Sequence, residues 1–142
     1  MRKITIGLLA ILAGVLASCA APERDKSSAS MLVQYRRTGG IAGLDDHLQV
    51  DAAGKATLTR RSVRSEFTIE PETLRQLREQ LDKAGFPRLR PEYLPSSEGR
   101  DLFTYVITYQ GQTVRTMDTA VPEALEPVIE LLNELVGKGG RP

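Results

Sequence analysis

The clearest strand pattern in the chain is Phe103–Asp118, which reads FTYVITYQGQTVRTMD. Aromatic and branched apolar residues alternate with threonines as far as Tyr109, and this period of two is typical of a β-strand with one buried face. Gln110-Gly111 then predicts a two-residue turn, because glycine adopts the positive φ that tight hairpin turns need. We therefore expect Gln112–Asp118 to return antiparallel to the first strand.

The turn sets the register of this hairpin. It predicts three cross-strand pairs: Tyr109 with Gln112, Ile107 with Val114, and Tyr105 with Thr116. The aromatic face is therefore expected to lie in the core. The opposite face carries four polar residues, together with Leu102, Val106 and Met117, and is expected to be solvated.

Four shorter strand patterns and a helix precede the hairpin. The strands cover Met31–Arg37, the alternation at Leu48 and Val50, the segment through Leu58, and the segment with Phe67 and Ile69. Asp51–Gly54 predicts the turn between the second and third strands. The helix is expected to begin at Pro71, where the missing N–H removes no hydrogen bond, and to end at Gly85.

A last helix follows the hairpin, with a short turn at Pro122–Glu126 and Pro127 in its first turn. The chain order is therefore four strands, a helix, two strands and a helix. This order predicts an α+β fold with a single antiparallel sheet of about six strands and two helices packed on one face. The predicted core contains Phe103, Tyr105, Ile107, Leu77, Leu81, Ile129 and Leu132.

Residues 1–18 have the pattern of a lipoprotein signal peptide. A positive start at Arg2-Lys3 precedes the apolar run Ile4–Leu16, which is too short to span a bilayer. Leu16-Ala17-Ser18-Cys19 resembles a lipobox, and lipidation explains why an exported protein has Cys19 as its only cysteine. The alternative is an ordinary secretory signal followed by a chance cysteine.

The anchor and the domain limits follow from this interpretation. Lipid on Cys19 is expected to hold the mature chain to a membrane of the cell envelope, and Ala20 favours the outer membrane by resemblance to Gram-negative lipoproteins. Residues 19–30 then form the lipidated cysteine and a flexible tether, 31–137 a single domain, and 138–142 a frayed tail. Without Arg2 and Lys3 the chain has 17 basic and 18 acidic residues, a net charge of −1, and we expect no nucleic-acid partner.

The sequence contains few groups that suggest catalysis. His47 is the only histidine, and with Cys19 lipidated no Cys/His zinc set can be assembled. Asp45-Asp46-His47 places two carboxylates beside an imidazole, but neighbours along a strand point to opposite faces, so we interpret it as a solvated strand start. No Gly-x-Ser-x-Gly elbow and no Rossmann or Walker pattern is present. We expect no enzymatic activity, no metal and no cofactor.

Two sets of residues are candidates for contact with a partner. The first is the glycine loop, which consists of Gly39, Gly40, Ile41, Ala42 and Gly43. It is either a turn between strands or a flexible loop presented to a partner. The second set is Arg36, Arg37, Arg60, Arg61 and Arg64. These arginines either belong to a solvated sheet with charged edges or contact anionic lipid headgroups or an acidic partner.

Three segments share their order and spacing with a known family. They are Tyr35–Gly43 (YRRTGGIAG), Pro71–Leu89, and Asp101–Pro127 with Asp118 in it. Together they resemble the emfourin family, whose members inhibit thermolysin-like zinc peptidases by binding them, and the glycine loop is the most characteristic piece. The chain departs from the family in having Ile41 where an aromatic residue is usual, an extra hairpin around Gly54, and a lipoprotein signal.

The resemblance implies a membrane-anchored inhibitor of a thermolysin-like metallopeptidase, with the glycine loop as the contact segment. A hypothesis of a different class is an envelope lipoprotein that binds a protein or the envelope without inhibiting anything. The same lipid anchor and the same domain are compatible with both.

Overall fold

The computed structural model of the protein describes residues 30–96 and 101–140. The predicted signal peptide, Cys19 and the tether as far as residue 29 lie outside the described residues. The strands are β1 (Met31–Gly39), β2 (Leu44–Asp51), β3 (Lys55–Arg60), β4 (Val63–Thr68), β5 (Glu92–Tyr93), β6 (Phe103–Tyr109) and β7 (Gln112–Met117). The helices are α1 (Pro71–Ala84) and α2 (Glu126–Gly139), and short 3₁₀ turns cover Phe86–Arg88, Asp118–Ala120 and Glu123–Leu125.

All seven strands belong to one sheet, in the order β4-β3-β2-β1-β6-β7-β5. The pairs along β4, β3, β2, β1, β6 and β7 are antiparallel, whereas β5 runs parallel to β7. The α+β class and the mostly antiparallel sheet are as predicted. The expected six strands and the chain order were wrong, because three strands rather than two lie between the helices.

The additional strand is β5, which pairs with β7 over two residues. The N–H of Arg115 donates to the carbonyl oxygen of Pro91 at 2.8 Å, and the Arg115 guanidinium lies 3.1 Å from the Glu92 carboxylate. Proline has no N–H to donate and is confined to the ends and edges of strands. So short a strand next to a proline has no alternation that a sequence pattern can detect.

The β6–β7 hairpin has the predicted register, with Tyr109 opposite Gln112, Ile107 opposite Val114, and Tyr105 opposite Thr116. Gln110 and Gly111 both have positive φ, at 49° and 79°, as a two-residue hairpin turn requires. Ile107 is fully buried and Tyr105 nearly so. Phe103 was expected in the core but is only half-buried, because its ring lies at the end of the sheet beneath Gly40.

Both helices cover the same face of the sheet. Leu77 and Leu81 of α1 and Leu132 of α2 are fully buried in one apolar cluster with the inward residues of the strands. The sheet contributes two tyrosines from that face: Tyr35 Oη donates to Asn133 Oδ1 of α2 at 2.8 Å, and Tyr109 Oη donates to Asp82 Oδ1 of α1 at 2.5 Å. The opposite face carries Thr104, Thr108 and Thr113, and neither of the two described helices packs on it.

Local signals set the ends of both helices. Pro71 is the first residue of α1, and Gly85 follows its last residue with φ of 65° and an N–H bond to Asp82 O at 3.2 Å. In α2, Pro127 lies in the first turn after the 3₁₀ turn Glu123–Leu125, as predicted. The helix continues to Gly139, so it includes residues 138–139, which the sequence assigned to the frayed tail. Within the described ranges, neither helix has both the length and the apolarity needed to cross a membrane.

Candidate partner-binding end of the sheet

The glycine loop is the turn that joins β1 to β2. Its three glycines have positive φ, at 110° for Gly39, 68° for Gly40 and 56° for Gly43, and Gly43 N–H donates to Gly40 O at 3.0 Å. A Cβ on Gly39 would lie 2.3 Å from the carbonyl oxygen of Leu102, and one on Gly40 would lie 2.7 Å from the ring of Phe103. The glycines are therefore needed for the turn and for its close contact with the start of β6.

The same turn exposes the side chain at its tip. Ile41 is 90% exposed, the highest exposure among the large apolar side chains that the structure describes. The backbone around it is held from two sides: Arg61 Nη2 donates to Ala42 O at 2.6 Å, and Gly40 N–H donates to Leu102 O at 3.4 Å. An apolar group on a braced turn can enter a partner's pocket with a small loss of conformational entropy.

Beneath the loop lies a polar group that we call the aspartate cluster, formed by the buried Asp46, the partly exposed Arg37 and Arg60, and Asn133. Asp46 is fully buried on β2. Arg37 Nη2 donates to Asp46 Oδ2 at 2.6 Å, and Arg60 Nε donates to Asp46 Oδ1 at 2.5 Å. Arg37 Nη1 also donates to Asn133 Oδ1 at 3.0 Å, which links the cluster to α2. A buried carboxylate needs such partners, because an unpaired charge in the interior is very costly.

The cluster sets the ionisation of its members. Burial alone would raise the pKa of Asp46, but the hydrogen bonds from Arg60 and Arg37 outweigh it, so the pKa lies below the ordinary carboxyl value. Burial raises the pKa of Tyr35, the other donor to Asn133, well above its ordinary value. At neutral pH the group is therefore an ionised carboxylate between two cations, next to a neutral phenol.

The cluster contacts the glycine loop through an aromatic ring. The Arg37 guanidinium carbon lies 5.6 Å from the centroid of the Phe103 ring, within the range of a cation–π interaction. Gly40 packs against the edge of the same ring, so closely that a Cβ there would lie 2.7 Å from it. A second connection runs through β3, since Arg60 is bonded to Asp46 and the next residue, Arg61, is bonded to Ala42 O. Two routes thus join the buried carboxylate to the loop.

A recess of about 600 Å³ opens beside the cluster, between the end of the β6–β7 hairpin and α2. Tyr105 Oη donates to Asp118 Oδ1 at 2.5 Å, and Phe103 N–H donates to Asp118 Oδ2 at 2.8 Å. Burial, followed by the bond to Asp118, raises the pKa of Tyr105, which stays protonated as a donor. Glutamates 126, 130 and 134 of α2 also line the recess. Across residues 30–96 and 101–140, no group of three or more His, Cys, Asp or Glu side chains is arranged to hold a metal ion.

The residues singled out from the sequence are distributed over both faces. Asp45 lies on the open face in a bidentate pair with Arg36, at 3.0 and 3.1 Å, and His47 lies on the same face. Asp46 faces the helices, so the interpretation of Asp45–His47 as a solvated strand start was wrong for Asp46. Arg64 is bonded to Glu66 at 2.8 Å. Four of the five candidate arginines thus have a carboxylate partner, and the fifth, Arg61, is bonded to Ala42 O.

The sequence did carry a signal for the aspartate cluster. Arg37 falls in the period-two pattern of Val33 and Tyr35, and Asp46 falls in that of Leu48 and Val50. Strict alternation would have placed both charges on the buried face, opposite each other in the β1–β2 register. The contribution of Asn133 has no comparable signal, because it depends on how α2 crosses the sheet.

Comparison with known proteins adds no family assignment. No protein-family model matches the chain, and no curated protein matches it at a significant level. The resemblance to the emfourin family stays a prediction from the sequence. The groups exposed at this end of the sheet include the apolar side chains of Ile41 and Val63 and the polar β3–β4 turn, a mixture that suits contact with another protein.

We predict that Asp46→Asn lowers the free energy of unfolding by about 1–3 kcal/mol at neutral pH, because it puts a buried amide in front of two hydrogen-bond donors and removes their counter-charge. Solvent compensates part of that loss, since the side chains of Arg37 and Arg60 are 17% and 38% exposed. The pKa of Asp46 is lowered by folding, so its contribution is present above the ordinary carboxyl pKa of about 4 and is lost as the pH falls through the lowered value. The difference between wild type and variant should therefore narrow in acid. Urea unfolding at a series of pH values measures this.

The matched control for this measurement is Asp45→Asn, one residue earlier on the same strand. Asp45 and Arg36 are each more than half exposed, so solvent screens their pair and its loss should matter far less. Equal destabilisation by the two substitutions would contradict the role given to the buried carboxylate.

Proposed function

We propose that this chain is a membrane-anchored lipoprotein whose domain blocks a thermolysin-like zinc peptidase by inserting the glycine loop into the active-site cleft. The observation that carries the proposal is the 90% exposure of Ile41 at the tip of a turn braced from below. The class of target comes from the resemblance to the emfourin family. Zinc peptidases of this class favour a bulky apolar group next to the cleaved bond, and Ile41 offers one.

Blocking the peptidase's active-site cleft is favoured over removing its zinc ion. Stripping a three-ligand zinc site requires a competing set of ligands. The described residues contain no metal-binding cluster, and His47 is the only histidine of the chain. Occlusion needs a rigid surface with a projecting segment, since ordering a flexible loop would cost binding free energy. The glycine loop is a projecting segment held by the aspartate cluster. The function we propose for this domain is therefore binding rather than catalysis.

The position of the loop relative to the start of the domain also supports presentation to a partner. Ala52 N–H donates to Ser30 O at 2.9 Å, so the domain begins beside the β2–β3 turn. The glycine loop lies at the other end of the nine-residue strand β1, about 30 Å away at the usual rise per residue. A tether that reaches the domain from residues 19–29 would join it at the end remote from the loop.

We expect Cys19→Ala to abolish acylation and membrane retention, because the thiol is the group that receives the lipid. Cells that express either form should be labelled with a fatty-acid analogue and then fractionated. Label and membrane association are expected for the wild type, and both should be lost in the variant. Equal labelling of the two forms would contradict the anchor.

We expect the chain from Ala20 onward to inhibit at least one peptidase in a panel of thermolysin-like enzymes at micromolar concentration. Ile41→Asp should raise the inhibition constant at least about tenfold, because it places a charge where an apolar pocket has to be filled. Met31→Asp is the matched control. It introduces the same charge at a 48% exposed apolar residue at the other end of β1 and should leave inhibition unchanged.

The outcomes separate the two functional hypotheses. Absence of inhibition by the wild type across the panel would favour the envelope lipoprotein that binds without inhibiting. Inhibition that survives Ile41→Asp would keep the inhibitory function and reject the glycine loop as the inserted segment.

A further inference from the structure

Strand β4 is a free edge of the sheet. It pairs with β3 on one side, and no strand among residues 30–96 and 101–140 pairs with its other side. Arg61 and Ser62 form the β3–β4 turn with φ of 45° and 76°, and this two-residue turn makes Arg60 and Val63 a hydrogen-bonded pair. By alternation, the backbone N–H and C=O groups of Arg64 and Glu66 point outward, where they are available to another strand.

The side chains along this edge have a regular pattern on both faces. On the open face, Arg64 and Glu66 are 66% and 45% exposed. On the helix face, Val63 is 70% exposed and Phe67 is half-buried against the core. An open, mainly apolar cavity of about 400 Å³ adjoins Val63, between β4 and the end of α2 at Gly139. Isolated charges on an edge strand usually prevent another strand from pairing with it. On β4, however, the charges of Arg64 and Glu66 are opposite in sign, and they lie next to the exposed side chain of Val63.

We propose that β4 pairs antiparallel with β4 of a second copy of this chain, with Ser65 on the two-fold axis. Arg64 then lies opposite Glu66 of the second copy, and Glu66 lies opposite its Arg64. Both are hydrogen-bonding positions, so each pair exchanges backbone bonds. The ion pair between Arg64 and Glu66 within each β4, at 2.8 Å, is then exchanged for two cross-strand ion pairs. On the helix face the same register sets Val63 opposite Phe67 of the second copy, beside the apolar cavity.

The charges select this register. A two-fold axis at Arg64 would place two guanidinium groups opposite each other, and an axis at Glu66 would place two carboxylates opposite each other. Like charges in direct cross-strand positions are destabilising. Among these three centres, only Ser65 pairs opposite charges on the open face and apolar groups on the helix face. A self-complementary patch of this kind is what a two-fold interface requires.

The dimer is independent of the proposed function. The axis is perpendicular to the sheet, so the two sheets become one and all four helices lie on the same side of it. The two glycine loops lie at opposite ends of the continuous sheet, and neither is part of the new contact. Within the described ranges, the strand at the other edge is much shorter, because β5 covers only two residues.

Charge reversal tests the proposal. Two copies of the full chain, each with a different epitope tag on a flexible C-terminal linker, are co-expressed and extracted in mild detergent, and capture of one copy by the other is measured. Wild-type copies should co-purify. Arg64→Glu paired with itself, and Glu66→Arg paired with itself, should each raise the dissociation constant at least about tenfold, because each dimer contains the reversed pair twice.

The decisive arm is the mixed pair. Arg64→Glu together with Glu66→Arg restores opposite charges at both positions, so capture should return towards the wild-type level. Arg90→Glu, an exposed reversal near the opposite edge, is the control for trapping in a shared micelle and should leave capture unchanged. Failure of wild-type copies to co-purify would overturn the proposal, as would single variants that still associate or a mixed pair that does not recover.

Discussion

One ion-pair network, the buried carboxylate of Asp46 between two partly exposed guanidinium groups, sets the geometry of the end of the sheet that carries the candidate site. Its three charged members lie on β1, β2 and β3, directly across from one another in the strand register. A carboxylate without exposed surface is tolerated only when its partners are in place, so the three strands are held in one register there. The bond from Arg37 to Asn133 adds α2 to the same network.

The same network supports the glycine loop, which carries the most exposed large apolar side chain of the described residues. The glycine loop rests on Phe103, whose ring lies against Arg37, and on Arg61, which follows Arg60 in the chain. An apolar side chain on a turn that is held by such contacts can be exposed and still be ordered, as insertion into a partner requires. The arginines that suggested a basic surface are instead largely paired with carboxylates, so what the glycine loop offers a partner is its shape and the apolar side chain of Ile41 rather than net charge.

Much of the fold follows from local patterns. The β6–β7 hairpin, the start of α1 at Pro71 and its end at Gly85 each depend on a few neighbouring residues, and the sequence predicted them correctly. Other features depend on contacts between residues that are far apart in the sequence. β5 pairs with the free side of β7, and Phe103 is only half-buried because its ring lies at the end of the sheet, against Gly40 and Arg37. The aspartate cluster depends on both kinds of information. The alternation of each strand places Arg37 and Asp46 on the buried face, but only the β1–β2 register shows that they lie opposite each other.

The buried carboxylate of Asp46 is expected to keep the glycine loop ordered, and amide hydrogen exchange can measure this effect separately from overall stability. Gly43 and Gly54 each donate within a hairpin turn, at 3.0 and 3.1 Å, at opposite ends of the sheet. In Asp46→Asn, exchange at Gly43 should accelerate at least about tenfold more than exchange at Gly54, because the loop loses its support while the far turn does not. Equal acceleration at the two amides would mean that the cluster stabilises the whole domain and has no particular hold on the loop.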